Sequence, residues 1–168
     1  MKLSIGLLLA TILLLPQGGG QPVSSPVSHK APPPTLEALV EAFQDVPQSE
    51  ELNCLAALVY FESRSEPLEG QAAVAHVALN RVKARLWPNG LCAVAREPHQ
   101  FADIDRTPHE IEAWKTARTI AWLALNGLPD PTNGATHFFA HEKVTPYWAE
   151  KIESTTTIQN HQFGREVR

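Results

Sequence analysis

Apolar residues recur every three or four positions in three segments, and this spacing predicts three helices with buried faces. The first helix covers residues 49–62 and starts at Ser49, a residue type whose side-chain oxygen caps helices. The second runs from about Leu68 to Arg85 and is apolar over much of its circumference. The third begins at a Thr107–Glu110 capping box and ends at Gly127.

The pattern changes after the third helix. The turn sequence PDPTNG precedes ATHFF, and STTTI follows later; both segments are rich in β-branched and aromatic residues, which favour strands. Residues 86–106, between the second and third helices, read as a long loop of the kind that carries function. This order predicts an α+β domain, mainly helical with a small β-rich C-terminal portion.

The N-terminal residues differ from the rest of the chain. Lys2 precedes an apolar run from Leu3 to Leu15, which is short for a membrane-spanning helix, and three glycines follow soon after. Residues 1–20 therefore predict a signal peptide, with an uncleaved anchor that tethers the domain to a membrane as the alternative. Residues 21–47 are expected to form a Pro- and Ser-rich linker. Residues 48–168 are then one exported domain, in the periplasm, the cell envelope or the medium.

Charge narrows the choice of partner. The chain of 168 residues carries 14 basic and 18 acidic residues, for a formal net charge of −4. It has no long basic run, which argues against nucleic acid as a partner and against electrostatic capture on an anionic membrane or wall. A polymeric substrate would have to be recognised by the shape and hydrogen bonds of a groove.

Two cysteines, Cys54 and Cys92, are present. An exported protein meets oxidising conditions, so an even count of two predicts one disulfide. Closing that loop is worth about 4 kcal/mol in the chain-entropy estimate. Two buried free thiols are the alternative.

Glu62 is the unusual residue of the first helix, because it lies at the edge of the apolar face and at the helix C-terminus. Burial and the negative end of the helix dipole both disfavour its charged form and raise its pKa. A carboxyl group that keeps its proton suits a general acid. A structural ion pair with Arg64 or Arg81 is an equal alternative on spacing alone.

Glu66 is the next carboxylate along the chain. Glycosidases commonly place a second carboxylate across the scissile bond as nucleophile or base, and Glu66 is a candidate for that role. The favoured alternative is a charge that stabilises the start of the second helix. Asp103 and Asp105 are further carboxylates in the long loop.

The histidines raise the question of a metal. No HExxH or HxH motif is present, so a zinc amidase or peptidase would lack its usual ligand spacing. His137 and His161 both lie in the β-rich end, where Glu142 or Asp130 would complete a zinc site. Such histidines are more often hydrogen-bonded groove or core residues, and we expect neither metal nor cofactor.

Aromatic residues are concentrated late in the chain, where they are candidate platforms for sugar rings. For Trp148 and Phe163, packing against the helices is the preferred interpretation. The five residues are Phe138, Phe139, Tyr147, Trp148 and Phe163.

Several ordered blocks of sequence resemble one family. The segment CLAALVYFESRSEPLEGQAAVAHVALNRV is similar to the signature of the SleB/CwlJ-type cell-wall hydrolases, known from spore-cortex lysis. The similarity continues through WPNGLCAV, QF, GATHFF, TPYWA and IQNHQFGR, and spans roughly Leu52 to Arg165. The blocks are separated and in the same order, which makes the resemblance specific.

The resemblance implies an α+β fold like that of lysozyme and lytic transglycosylases. It also implies cleavage of peptidoglycan glycan strands between N-acetylmuramic acid and N-acetylglucosamine, with Glu62 as general acid and base. We expect the protein to be a monomer. The candidate substrate-binding residues within the matching blocks are Glu66, Gln100, Phe101, Thr136, His137 and His161. The alternatives are a metal-dependent cell-wall amidase or peptidase using His137 and His161, and a wall-binding domain without activity.

The chain departs from the family pattern at five positions. Ser63 and Ser65 replace Ala and Gly after the proposed acid, and Ala102 replaces Ser. Gln159 stands in place of a Gly, and Gly164 in place of a Tyr. The change at 164 argues against sugar stacking there, and Ser65 is expected to tighten the turn beside Glu62.

Overall fold

The computed structural model describes residues 32–143 and 145–166. The predicted signal peptide or anchor, and the linker up to residue 31, lie outside the described residues. Within the described part, no helix is long and apolar enough to cross a membrane. The elements are α1 (Leu36–Ala42), α2 (Glu50–Ser63), α3 (Leu68–Ala84), α4 (Leu91–Ala95), α5 (Ile111–Leu125), β1 (His137–Ala140), β2 (Ile152–Ile158) and β3 (His161–Glu166).

Helix α2 is the centre of the domain. The Ser49 hydroxyl oxygen accepts a hydrogen bond from the N–H of Leu52 at 3.1 Å, as the capping prediction requires. Leu55, Leu58 and Tyr60 are fully buried, and α2 packs against α3, α4 and α5. The sequence predicted one buried face, whereas neighbours surround this helix on most sides.

Helix α3 follows the predicted bounds closely and joins the helices to the sheet. It is rich in alanine, and the lack of bulk allows neighbouring elements to approach. Ala73 and Val77 pack with Phe163 and Ile158 in a second buried cluster, between α3 and the sheet. The helix ends where Arg85 adopts a left-handed conformation, with φ at 56°.

The predicted start of α5 is wrong. No capping box forms at Thr107–Glu110: the helix begins at Ile111, and Glu110 is its N-cap residue without a side-chain cap. The backbone before it is held to α2 instead, because the Tyr60 hydroxyl oxygen accepts hydrogen bonds from the N–H groups of His109 and Glu110 at 3.2 and 3.1 Å. The predicted end is confirmed, since Gly127 follows the helix with φ at 98°.

Two short helices occur where the sequence predicted no element. Helix α1 lies inside the range 21–47 assigned to the linker; Thr35 caps it, and its Val40 joins the main core. Helix α4 lies inside the predicted loop 86–106, with Leu91, Val94 and Ala95 buried. Each is too short for a periodic signal, so its burial depends on contacts with the rest of the domain.

The three strands form one antiparallel sheet in the order β1-β3-β2. Phe138 pairs with Phe163, and His137 pairs with Gly164. Because cross-strand partners share a face and successive residues alternate, Phe138 and Phe163 face one side and His137 the other. Phe163 is fully buried, which confirms the packing role predicted for it.

A disulfide joins Cys54 of α2 to Cys92 of α4, with the two Cα atoms 5.2 Å apart. The bond attaches the N-terminal part of the 86–106 segment to α2. It agrees with the sequence prediction and with an oxidising compartment.

Replacing both Cys54 and Cys92 by Ala is expected to lower the free energy of unfolding by about 4 kcal/mol, because the 38-residue separation no longer restricts the unfolded chain. Urea denaturation followed by circular dichroism measures this change. Treatment of the wild-type protein with a reductant is the matched comparison and should give a similar loss. An unfolding midpoint that neither change moves would contradict the estimate.

Candidate active site

Glu62 lies in the last turn of α2, where the helix reaches the surface of a cavity. One oxygen of its carboxyl group accepts a hydrogen bond from the backbone N–H of Ala102, in the loop after α4. Burial raises the pKa of Glu62; the Ala102 hydrogen bond and the positive charge of Arg81 oppose that rise without cancelling it. The group is therefore biased toward its protonated form.

The ion-pair alternative for Glu62 does not fit the geometry. Arg64 forms its salt bridge with Glu110 at 2.8 Å and lies over the Tyr60 ring, 5.0 Å from its centre. Arg81 donates instead to the carbonyl oxygen of Thr136 at 2.7 Å and to the side chain of Gln100. Within residues 32–143 and 145–166, neither arginine lies within 4 Å of the Glu62 carboxyl oxygens as an ion pair.

The cavity beside Glu62 has a volume of about 320 Å³. It combines one acid, a buried arginine, polar side chains and aromatic rings, a set suited to a polar ring-shaped ligand. Its lining comprises Glu62, Arg81, His99, Gln100, His137, Phe138 and Trp148.

One wall of this cavity is aromatic. The His137 ring stands between Trp87 and Trp148, with ring centres 5.8 and 5.4 Å away. Burial, and then the charge of Arg81, lower the pKa of His137, so the ring is neutral near pH 7. Its Nδ1 lies 3.0 Å from the Thr136 hydroxyl oxygen. Trp148 is partly exposed and lines the cavity, which differs from the packing role preferred for it from sequence.

The six predicted substrate-binding residues divide into three pairs, of which two pairs lie at or directly behind the cavity surface. Gln100 and His137 line the cavity directly. Thr136 and Phe101 lie behind the cavity surface: the Thr136 carbonyl oxygen binds Arg81, and the Phe101 ring lies 4.6 Å beneath the Arg81 guanidinium group.

Glu66 and His161 lie together outside the cavity lining. A Glu66 carboxyl oxygen and His161 Nδ1 are 3.7 Å apart, which is an ion-pair distance longer than a hydrogen bond, and each side chain is only 12% exposed. The Phe138 ring, which lines the cavity, packs against His161 at 5.5 Å. A Cβ atom at Gly70 would lie 3.1 Å from Glu66 Cβ, so a glycine there leaves room for the Glu66 side chain.

The zinc alternative is contradicted by the sheet. Ala140 pairs with His161, so His161 shares a face with Phe138 while His137 points to the opposite face. The Asp130 oxygens already accept hydrogen bonds from Thr132 and Asn80. No group of three potential ligands for a metal exists among the residues that the structure describes.

The departures from the family pattern have local consequences. The Ser63 hydroxyl donates to the Val59 carbonyl oxygen at 2.8 Å and is buried without reaching the cavity. A Cβ atom at Gly164 would lie 2.7 Å from Cδ1 of Ile152, so the Ile152 side chain fills the space beside that backbone. Gln159 has a φ of 49°, a left-handed conformation in which glycine is relaxed and glutamine is strained. Ala102 contributes its backbone N–H to Glu62.

Sequence reasoning missed the position of Arg81. The residue is only 4% exposed, in a helix whose other buried residues are mostly small or apolar. It shares a helical face with Val74 and Val77, which precede it by seven and four residues, so a charged residue on an apolar face was the available signal. His99 had no such signal, because loop geometry alone brings it to the cavity.

A larger cleft of about 760 Å³ opens beside the N-terminal end of α2 and does not contain Glu62. Two carboxylates line it: Asp105 is bonded to Arg96 at 2.9 Å, a contact that lowers the pKa of Asp105, and Glu50 is exposed at the start of α2. Size alone therefore does not identify the site; the carboxyl group with a raised pKa does.

Comparison with known proteins identifies the family of the chain. Residues 65–164, more than half of the chain, match the family described as Cell Wall Hydrolase, and the matched range begins just after Glu62. The spore cortex-lytic enzyme of Bacillus subtilis (strain 168) is 36% identical over 113 residues, which are 67% of this chain and 37% of that protein. The one from Halalkalibacterium halodurans is 34% identical over 130 residues, which are 76% and 39%. The chain spans about two fifths of the length of these relatives.

Solved structures agree on the fold. The catalytic domain of the germination-specific lytic transglycosylase SleB from Bacillus anthracis superposes with a TM-score of 0.61 at 36% identity, over 71% of this chain and 100% of that one. The catalytic domain of the Bacillus cereus SleB protein gives a TM-score of 0.60 at 35% identity, over 71% and 95%. The predicted α+β fold related to lytic transglycosylases is confirmed.

Replacing Glu62 by Gln is expected to stabilise the protein at neutral pH. The folded state raises the pKa of Glu62, so this group contributes to the free energy of unfolding while it is protonated. That contribution is fully present below the pKa of the unfolded state and is lost as pH rises through the pKa of the folded state. Gln does not titrate and still offers an oxygen to the Ala102 N–H, so it avoids that loss.

Thermal unfolding of both proteins between pH 4 and pH 8 tests this prediction. The Gln variant should melt higher at pH 7, and the difference should shrink toward pH 4. Glu69→Gln, at an exposed position of α3, is the control and should show no such pH-dependent gain. A Glu62→Gln variant that is less stable than wild type at pH 7 would contradict the raised pKa.

Proposed function

The chain belongs to the cell wall hydrolase family, and from that premise we propose that it cleaves the glycan strands of peptidoglycan at the bond between N-acetylmuramic acid and N-acetylglucosamine. The observation that carries the proposal is Glu62: a largely buried carboxyl group with a raised pKa, facing a cavity with aromatic and polar walls. That arrangement suits protonation of a glycosidic oxygen.

In the first step, Glu62 donates its proton to the glycosidic oxygen while the bond from that oxygen to the anomeric carbon breaks. Positive charge develops on the sugar ring, and Glu62 becomes a carboxylate. The Ala102 N–H and the charge of Arg81 both stabilise this anion, since each acts to lower the pKa of Glu62. Burial favours the acid before the step, and these two partners favour its conjugate base after it.

In the second step, the same carboxylate takes a proton from the 6-hydroxyl group of the muramic acid, whose oxygen bonds to the anomeric carbon. The product is a 1,6-anhydro sugar, and Glu62 regains its proton. A water molecule in place of the 6-hydroxyl would give the hydrolysed sugar. One carboxyl group is sufficient for the anhydro route, which fits a cavity whose lining contains no carboxyl group besides Glu62.

Substrate contacts follow from the cavity walls. Trp148 and Phe138 offer rings against which a sugar can pack, and the neutral His137 and Gln100 offer hydrogen-bonding groups. Glu66 is proposed as a positioning residue, because it lies near His161, which packs against Phe138. Because Gly164 has no aromatic side chain, we propose that the sugar ring stacks on Trp148.

The site of action is proposed to be the cell envelope, and specifically the periplasm. The Cys54–Cys92 disulfide and the apolar N-terminal run both fit an exported protein. We propose a monomer, with residues 1–20 either removed or retained as a membrane tether.

Mass spectrometry of digested peptidoglycan is the direct test of the activity. The described domain, without residues 1–31, is incubated with purified sacculi, and anhydro-muropeptides are the expected products. Release of free stem peptides would instead indicate an amidase, and binding to sacculi without any product would indicate a wall-binding domain. Either result would overturn the proposal.

Glu62→Gln is expected to reduce product release by about 100- to 10,000-fold, the range that general acid–base catalysis contributes. Thermal unfolding confirms that the variant is folded. Glu69→Gln is the matched control, because it makes the same change at an exposed site one helix away. Retention of normal cleavage by Glu62→Gln would show that another group protonates the leaving oxygen.

Glu66→Gln separates a positioning role from a catalytic one. If Glu66 only orients His161 and Phe138, the variant should keep the same products and lose activity about 10-fold, the effect of one weakened buried contact. A loss as large as that of Glu62→Gln, with no anhydro product, would instead indicate a two-carboxylate mechanism. Initial rates and product masses for both variants make the comparison.

A further inference from the structure

Arg81 is a charged residue in a position where an apolar residue would fit more easily. It is 4% exposed, and burial lowers its pKa to about 10. Removing an arginine from water is unfavourable unless hydrogen bonds and opposite charges compensate, and apolar replacements of buried charged groups are often neutral or stabilising. Stability alone therefore gives a weak reason for an arginine at this position.

The contacts of Arg81 join two separate walls of the Glu62 cavity. Its Nε donates to the Thr136 carbonyl oxygen at 2.7 Å, which lies directly before His137 at the start of β1. Its Nη1 donates to the Gln100 side-chain oxygen at 3.1 Å, two residues before the Ala102 N–H that binds Glu62.

Aromatic rings fix the plane of the guanidinium group. Its central carbon lies 4.6 Å from the centre of the Phe101 ring and 5.2 Å from that of Trp87. Phe101 belongs to the same loop as Gln100, and Trp87 packs against His137. Each wall is therefore held by one hydrogen bond and one ring contact, an arrangement that only a planar, multiply donating side chain provides.

We propose that Arg81 is the positioning residue of the Glu62 site: it holds the 99–102 loop and the start of β1 around Glu62, and its charge faces the carboxylate formed when Glu62 gives up its proton. The inference rests on the proposed function for its catalytic part. The position of the Ala102 loop and the effect of the Arg81 charge on Glu62 can both be measured without any substrate.

The basic side chains that line the cavity with Glu62 come from three elements. Arg81 projects from α3, His99 from the loop and His137 from β1. Arg81 keeps its positive charge at pH 7, because even a pKa of about 10 leaves it protonated there. His137 is neutral at that pH, since burial lowers its pKa.

Two substitutions separate the charge of Arg81 from its hydrogen-bonding geometry. Arg81→Lys keeps the charge and loses the planar fork, whereas Arg81→Met loses both at similar length. Gln100→Leu removes one of the two hydrogen bonds and leaves Arg81 in place. Lys83→Met is the matched control, because it removes an exposed positive charge from the same helix, outside the Glu62 cavity.

Three measurements are made on each folded variant: the titration of the Glu62 carboxyl carbon by NMR, the exchange rate of the Ala102 amide proton, and kcat and KM on sacculi. For Arg81→Met we expect Glu62 to titrate at a higher pH, Ala102 to exchange faster, and kcat to fall about 10- to 100-fold. For Arg81→Lys and Gln100→Leu we expect faster Ala102 exchange, lower kcat, and a smaller upward shift of the Glu62 titration than in Arg81→Met, because the Ala102 hydrogen bond is weakened while a positive charge stays at position 81. Lys83→Met should leave all three unchanged.

The proposal is overturned if Ala102 exchange and Glu62 titration are the same in Arg81→Met as in wild type, whatever happens to activity. If Arg81→Met does not fold, unchanged Ala102 exchange in both Arg81→Lys and Gln100→Leu overturns it equally. A wild-type protein that releases no product contradicts the proposed function, while the two NMR measurements still decide whether Arg81 organises the site.

Discussion

The condition for a raised carboxyl pKa is that the charged form is deprived of water, and burial of the end of α2 meets that condition for Glu62. The condition depends on most of the domain. Helices α3, α4 and α5 pack around α2, and the Tyr60 hydroxyl holds the segment before α5 against it. If α2 were an ordinary surface helix, the Glu62 carboxyl group would be hydrated and burial would not raise its pKa.

The loop between α4 and α5 has the opposite effect, because it lowers the pKa of Glu62. Its Ala102 N–H binds the Glu62 carboxyl group and favours the anion, as does the charge of Arg81. A group that gives up a proton and later recovers it needs both influences, because full desolvation would hold the proton too tightly. The position of the loop is therefore as important as burial, and α4 with its disulfide and Arg81 with its hydrogen bonds both constrain it.

The sheet completes the site and shows how this chain accommodates its departures from the family pattern. Gly164 stands where the family pattern has Tyr, and the Ile152 side chain occupies the space beside its backbone. Gln159 takes up a strained turn conformation in place of glycine. Both changes lie in β3 or the turn that leads into it. Neither touches the Glu62–Ala102 contact, so the acid and its immediate partners are unaffected by them.

Features encoded by neighbours in sequence could be predicted: the cap at Ser49, the bounds of α2 and α3, the glycine that ends α5, the strands near ATHFF and STTTI, and Glu62 at the edge of an apolar face. The start of α5, the helices α1 and α4, and the opposite faces of His137 and His161 could not, because they depend on packing between distant segments. The same holds for the cavity itself. Glu62 and Ala102 are 40 residues apart, and Arg81 and Thr136 are 55 apart, so only the folded chain brings these pairs together. Helical spacing revealed a candidate acid, but the tertiary structure decided how buried it is and which groups face it, because desolvation and electrostatic contacts act between groups close in space.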